Sequence, residues 1–90
     1  MLPYMSIKKA IVSGQDYMEC NGKWYGYDVT IAYEKCFENV AFYFEKMIDG
    51  QLFVASYLME ANDFMEFIDY KDYIGYMSKV MYYNLDLKEE

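Results

Sequence analysis

The residues that could do chemistry in this chain are few, and most are carboxylates. There is no His among the 90 residues. The commonest general base near neutral pH is therefore missing. A Ser-His or Cys-His nucleophile pair cannot form within the chain. Ser13-Gly14 and Ser56 stand in no nucleophile-elbow pattern. The five glycines make neither a phosphate loop nor a dinucleotide fingerprint. Glu34 with Glu38, and Glu60 with Asp63, are spaced as carboxylate pairs, but on helices such pairs are most often solvated faces. Cys20 and Cys36 lack Cys-x-x-Cys spacing and have no His to complete a zinc site. They read as reduced thiols, as in a cytoplasmic protein. The chemistry predicted is binding without catalysis, with no cofactor and no metal.

Composition says what kind of binding. The chain is 56% hydrophobic and 21% aromatic, with twelve Tyr, six Phe and one Trp. A typical domain is about 45–50% apolar. In so short a chain some of that surface cannot reach the core, and leftover apolar surface often marks an interaction site. Fifteen acids stand against eight lysines, for a formal charge of −7. Nucleic-acid binders normally show a basic face with Arg, so direct nucleic-acid contact is disfavoured, as are anionic membranes. A basic protein partner would be steered in by the same field. No run is long enough to span a membrane, and the N-terminus lacks the pattern of a signal peptide.

The elements expected to position these residues form a small α+β single domain over 1–90, with 1–5 and 86–90 flexible. Segment 6–13 can be read as a helix ended by Gly14 or as a strand, with a slight preference for helix. Asp16 to Val29 reads as a β-hairpin turning at Asn21-Gly22, the favoured two-residue pair. That register puts Met18, Cys20, Tyr25, Tyr27 and Val29 on the core face and Trp24 on the other. Three helices follow. Glu34 to Asp49 has a stripe of Phe37, Val40, Ala41, Phe44, Met47 and Ile48. Phe53 to Ile68 has one of Phe53, Val54, Tyr57, Leu58, Ala61, Phe64, Met65 and Ile68. In a competing reading, Leu52 to Leu58 is a buried strand and Asp63 caps a shorter helix. Tyr70 to Leu85 follows, with Asp69 as its N-cap.

On those wheels Phe42 falls in the polar face of the first long helix, Met59 and Phe67 lie off the stripe of the second, and Tyr76 and Tyr83 lie opposite the core of the third. With Trp24 these six are the candidate partner-binding residues. Glu38, Glu45, Asp49, Glu60, Asp63, Glu66 and Asp72 are the candidate acidic rim. Acids also recur at 60, 63, 66, 69 and 72; helical geometry would wind that spacing into a spiral of carboxylates able to imitate a phosphate backbone. The reading is a small acidic inhibitor that docks on a larger basic protein, such as a nucleic-acid-binding enzyme. Phage-encoded antagonists of bacterial defence are one class with this build. Two alternatives use the same surface: a homodimer or higher oligomer whose outer aromatics pack on a twin subunit, and a small-ligand binder that stacks a planar molecule on Tyr and Trp.

Overall fold

In a computed structural model of the chain, residues 2–84 are described. Helix α1 (Met5–Ser13) leads into strands β1 (Tyr17–Trp24) and β2 (Tyr27–Glu34). A 3-10 turn at Lys35–Phe37 follows, then β3 (Asn39–Ile48), β4 (Gln51–Glu60), α2 (Ala61–Met65) and α3 (Tyr70–Asn84). The strands form one antiparallel meander in the order β1-β2-β3-β4. The expected hairpin with three helices is thus corrected to a four-stranded sheet with one short and two longer helices.

The change comes from two hairpin turns. Tyr25 (φ 53) with Gly26 (φ 81), and Asp49 (φ 52) with Gly50 (φ 79), both lie in the left-handed region. Positive φ at both central residues defines the turn that matches strand twist. Asn21-Gly22 is instead mid-strand, opposite Thr30 and Val29. Turning at Tyr25-Gly26 gives β1 and β2 eight facing pairs, from Trp24↔Tyr27 to Tyr17↔Glu34. Ile31 and Tyr33 then gain ladder partners while their side chains enter the core, and Trp24 moves to the core side of β1. Gly26→Ala is therefore expected to cost about 1–2 kcal/mol in thermal unfolding. Gly22→Ala should show no such loss. The opposite ranking would restore Asn21-Gly22 as the turn.

Asp49-Gly50 joins the two segments that periodicity assigned to helices. Val40, Phe42 and Phe44 alternate with Ala41, Tyr43 and Glu45, and only the first set is fully shielded. The strand alternative for 52–58 describes that segment correctly, but β4 is largely exposed. Asp63 lies inside α2, which begins after Glu60 with no side-chain cap. The helix at 5–13 ends at left-handed Gly14, whose N–H bonds to the carbonyls of Ala10 and Ile11.

One face of the sheet carries the core. Tyr27, Val29, Ile31, Tyr33, Val40, Phe42, Phe44 and Met59 pack with Ile7, Ala10, Ala61, Phe64, Tyr73, Met77, Val80 and Met81 from all three helices. The N-terminal segment, for which flexibility was expected over 1–5, contributes to this layer: Leu2 and Tyr4 are buried. Tyr4 stacks on Tyr73 with ring centres 4.8 Å apart, and the Tyr73 hydroxyl donates to the Pro3 carbonyl at 2.8 Å. Lys8 Nζ and the Tyr4 hydroxyl both donate to the Phe67 carbonyl, at 2.6 and 3.2 Å. The expected flexible tail, 86–90, lies outside the described residues.

Candidate functional site

Because all three helices join one core cluster, the other face of the sheet has no helix against it among the described residues. The pleat sends alternate residues there. Reading across the strands, the rows are Glu19–Ala32–Ala41–Leu58, Asn21–Thr30–Tyr43–Ser56 and Lys23–Asp28–Glu45–Val54. Met47 and Leu52 face each other nearer the β3–β4 tip.

The two halves of this face differ. On β3 and β4, Tyr43, Met47, Leu52, Val54 and Leu58 form an apolar ridge, each between 46% and 63% exposed. Beside Leu58, Ala41 and Ala32 make a shallow dip floored by small side chains. On β1 and β2 the groups are polar and already engaged. The Thr30 hydroxyl donates to Asn21 Oδ1 at 2.9 Å. Lys23 pairs with Asp28 at 2.8 Å. The Tyr17 hydroxyl donates to Glu19 at 2.7 Å, and this bond to a carboxylate raises its pKa above 10.0. At the far end, exposed Phe37 and Leu58 line a groove of about 350 Å³ with Glu38 and Glu60 at its edge.

The charges on this face are one-sided. Glu19, Asp28, Glu34, Glu45 and Glu60 project there with Lys23. Asp28 and Glu45 are direct cross-strand neighbours. Like charges so placed are destabilising, and the Lys23–Asp28 ion pair in the same row offsets part of that repulsion.

The predicted contact residues are dispersed. Phe42 is 0% exposed, with its ring between those of Phe44, Tyr57 and Phe64. Met59 is buried, and Trp24 and Phe67 are half-buried against the core. Their predicted exposure is corrected: for Phe42, Met59 and Phe67 it rested on helical wheels for segments that are strands or the turn after α2, and for Trp24 on a hairpin register about Asn21-Gly22. Tyr76 and Tyr83 are exposed on α3. The Tyr76 hydroxyl lies 2.6 Å from that of Tyr57. Burial, then that hydrogen bond, pushes Tyr57 up to about 12.

Of the predicted rim, Glu45 and Glu60 are on the open sheet face and Glu38 is at its end. Asp49 is in the hairpin turn, while Asp63, Glu66 and Asp72 lie on α2, at its C-cap and on α3. The continuous acidic spiral does not form. Its members are split among a strand end, two helices and the turn between them, and two of them cap α3. The Asp72 N–H donates to Asp69 Oδ1 at 2.9 Å, and the Ile68 N–H donates to Asp72 Oδ2 at 3.0 Å. These are helix N-terminal contacts of the capping-box kind.

The ridge residues Tyr43, Met47, Leu52, Val54 and Leu58 were not among the candidates. The signal for them was present: reading 39–60 as a hairpin about Asp49-Gly50 puts all five on one face. Cys20 and Cys36 are free. Among the described residues no group of three His, Cys, Asp or Glu could hold a metal. Among the same residues, no helix is long and apolar enough to cross a membrane. Comparison with protein-family models, with curated proteins and with solved structures finds no match.

Proposed function

We propose that this protein is a small acidic inhibitor that docks through the open face of its sheet onto a larger protein with a basic, partly apolar surface. The observation that carries the reading is the apolar ridge of β3 and β4 set among five carboxylates and one lysine. Covering the ridge returns about 25 cal/mol per Å² of apolar area removed from water. The carboxylates select a basic partner and speed its approach. Glu45, beside the Lys23–Asp28 pair, offers a carboxylate to a Lys or Arg from that partner. The basic site of a nucleic-acid-binding enzyme has the required chemistry. Two free thiols suit action in the cytoplasm.

The test is affinity capture from a host lysate with the folded protein immobilised, at low and high salt. A basic partner should be retained at low salt and weakened as screening shortens the reach of surface charge. Leu58→Asp, at an exposed position, should abolish capture while circular dichroism stays unchanged. E45K/E60K should weaken it. Capture of the same proteins by Leu58→Asp, or at all salt concentrations alike, would reject the docking face.

A further inference from the structure

The β4 strand ends the sheet, and among the described residues nothing pairs with its outer edge. Natural edge strands are usually protected by charge, Pro or a bulge. From Gln51 to Met59, β4 has no charged residue and no Pro, and it pairs with β3 in unbroken register. The other edge strand, β1, carries Glu19 and Lys23. Toward the Asp49-Gly50 tip the strand is bare on both sides: Leu52 and Val54 are exposed on the open face and Phe53 on the helical side, near the exposed Ile48 of β3.

The backbone phase follows from the turn. A two-residue hairpin loop makes Ile48↔Gln51 a hydrogen-bonded pair, and bonding alternates along the ladder. The odd-numbered residues of β4 therefore bond to β3. The N–H and C=O groups of Leu52, Val54, Ser56 and Leu58 point away from the sheet.

We propose that two copies of this chain pair antiparallel through β4, with Ala55 of each on a two-fold axis, joining their sheets into one of eight strands. In that register Leu52 faces Leu58 of the partner subunit, and Val54 faces Ser56 of the partner subunit, as bonded pairs on the open side. Phe53 faces Tyr57 of the partner subunit on the helical side, at the closer, non-bonded spacing of about 4.5 Å between Cα atoms. Aromatic pairs there are stabilising. Glu60, the acidic residue at the end of the strand, falls opposite Gly50 of the partner subunit, so no two acidic side chains face each other. Moving the axis to Ser56 would set Leu52 against Glu60 of the partner subunit and lose this match. Residues facing across the axis share a side of the sheet, so the two apolar ridges merge into one surface.

Chains of charge −7 repel, so added salt should tighten this dimer. Salt weakens docking on a basic partner, so failure of one reading is distinguishable from failure of the other. The test is sedimentation equilibrium from low to high micromolar concentration. A dimer tightened by salt is expected, and V54K should make it monomeric with an unchanged circular dichroism spectrum. In a C20A/C36A background, A55C should oxidise to a disulfide-linked dimer, since the facing non-bonded Cα spacing suits a disulfide. S56C should not. A wild-type monomer at high micromolar concentration would leave the edge to an extended strand of some other protein and overturn the proposal. So would a dimer indifferent to V54K, or one cross-linked by S56C but not by A55C.

Discussion

Phe42→Ala is expected to destabilise the protein by about 3–5 kcal/mol in urea denaturation, the usual cost of truncating a fully buried phenylalanine. Phe42 lies in β3, flanked by β2 and β4, and its ring is shielded by Phe44, Tyr57 and Phe64. These neighbours are anchored in their own strands and helix, so they can close the space only in part. A small domain has about 5–15 kcal/mol in all, so this one change would remove a large share. A helix over 34–49 would put Phe42 on a solvated face, where substitutions usually fall within about 0.5 kcal/mol. A loss below about 1 kcal/mol would thus contradict the sheet itself, independently of any binding assay.

Truncation of Tyr73 should be comparably damaging, and its titration adds a second signature. The side chain is 0% exposed, contacts the rings of Tyr4, Phe64, Phe67 and Tyr70, and ties α3 to Pro3. Burial chiefly, with Tyr70 and Tyr4 adding to it, drives its pKa well above 10.0. The unfolded chain ionises Tyr73 near pH 10, whereas the folded chain holds it neutral. Above pH 10 the unfolded state binds fewer protons, so stability must fall as pH rises. The contribution is whole below pH 10. Tyr57, raised to about 12, acts in the same direction between pH 10 and 12.

Tyr73→Ala should cost about 3–5 kcal/mol at pH 7. Tyr73→Phe should cost only about 1 kcal/mol, the net worth of its hydrogen bond to Pro3, but should flatten the alkaline decline. Urea midpoints at pH 7, 9, 10.5 and 11.5 would measure this. If Tyr73→Phe loses stability with alkali as steeply as the parent, Tyr73 is not the buried acid.

The local grammar of the chain was legible at its ends. The helix closed by Gly14 and the helix entered through Asp69 each have a cap within a few residues, and such caps act locally. The middle was misread because Val40, Ala41, Phe44 and Met47 fit a helical stripe, while Val40, Phe42 and Phe44 equally fit a strand. When over half of a segment is apolar, both periods find support. The cue that separates them is Asp49-Gly50 between two apolar runs rich in Phe, Tyr and Val. Ending the expected helix at Asp49 discarded that cue. Asn21-Gly22 has better intrinsic turn chemistry than Tyr25-Gly26, yet it lost, because the later turn gives β1 a full ladder with β2 and brings Trp24 to the core.

Excess aromatic surface, one-sided charge and the absence of His are properties of composition, which no fold can alter; the sequence by itself determined them. Where the excess surfaces was decided only in three dimensions. β2 has two edges to satisfy, and β3 can supply the second only by abandoning helix. That pairing draws Phe42 and Met59 inward and turns Tyr43, Val54 and Leu58 outward. A strand displays every second residue and a helix every third or fourth, so the choice between them redistributes the side chains that meet solvent. Long-range hydrogen bonding makes that choice, and a short window of sequence does not contain it.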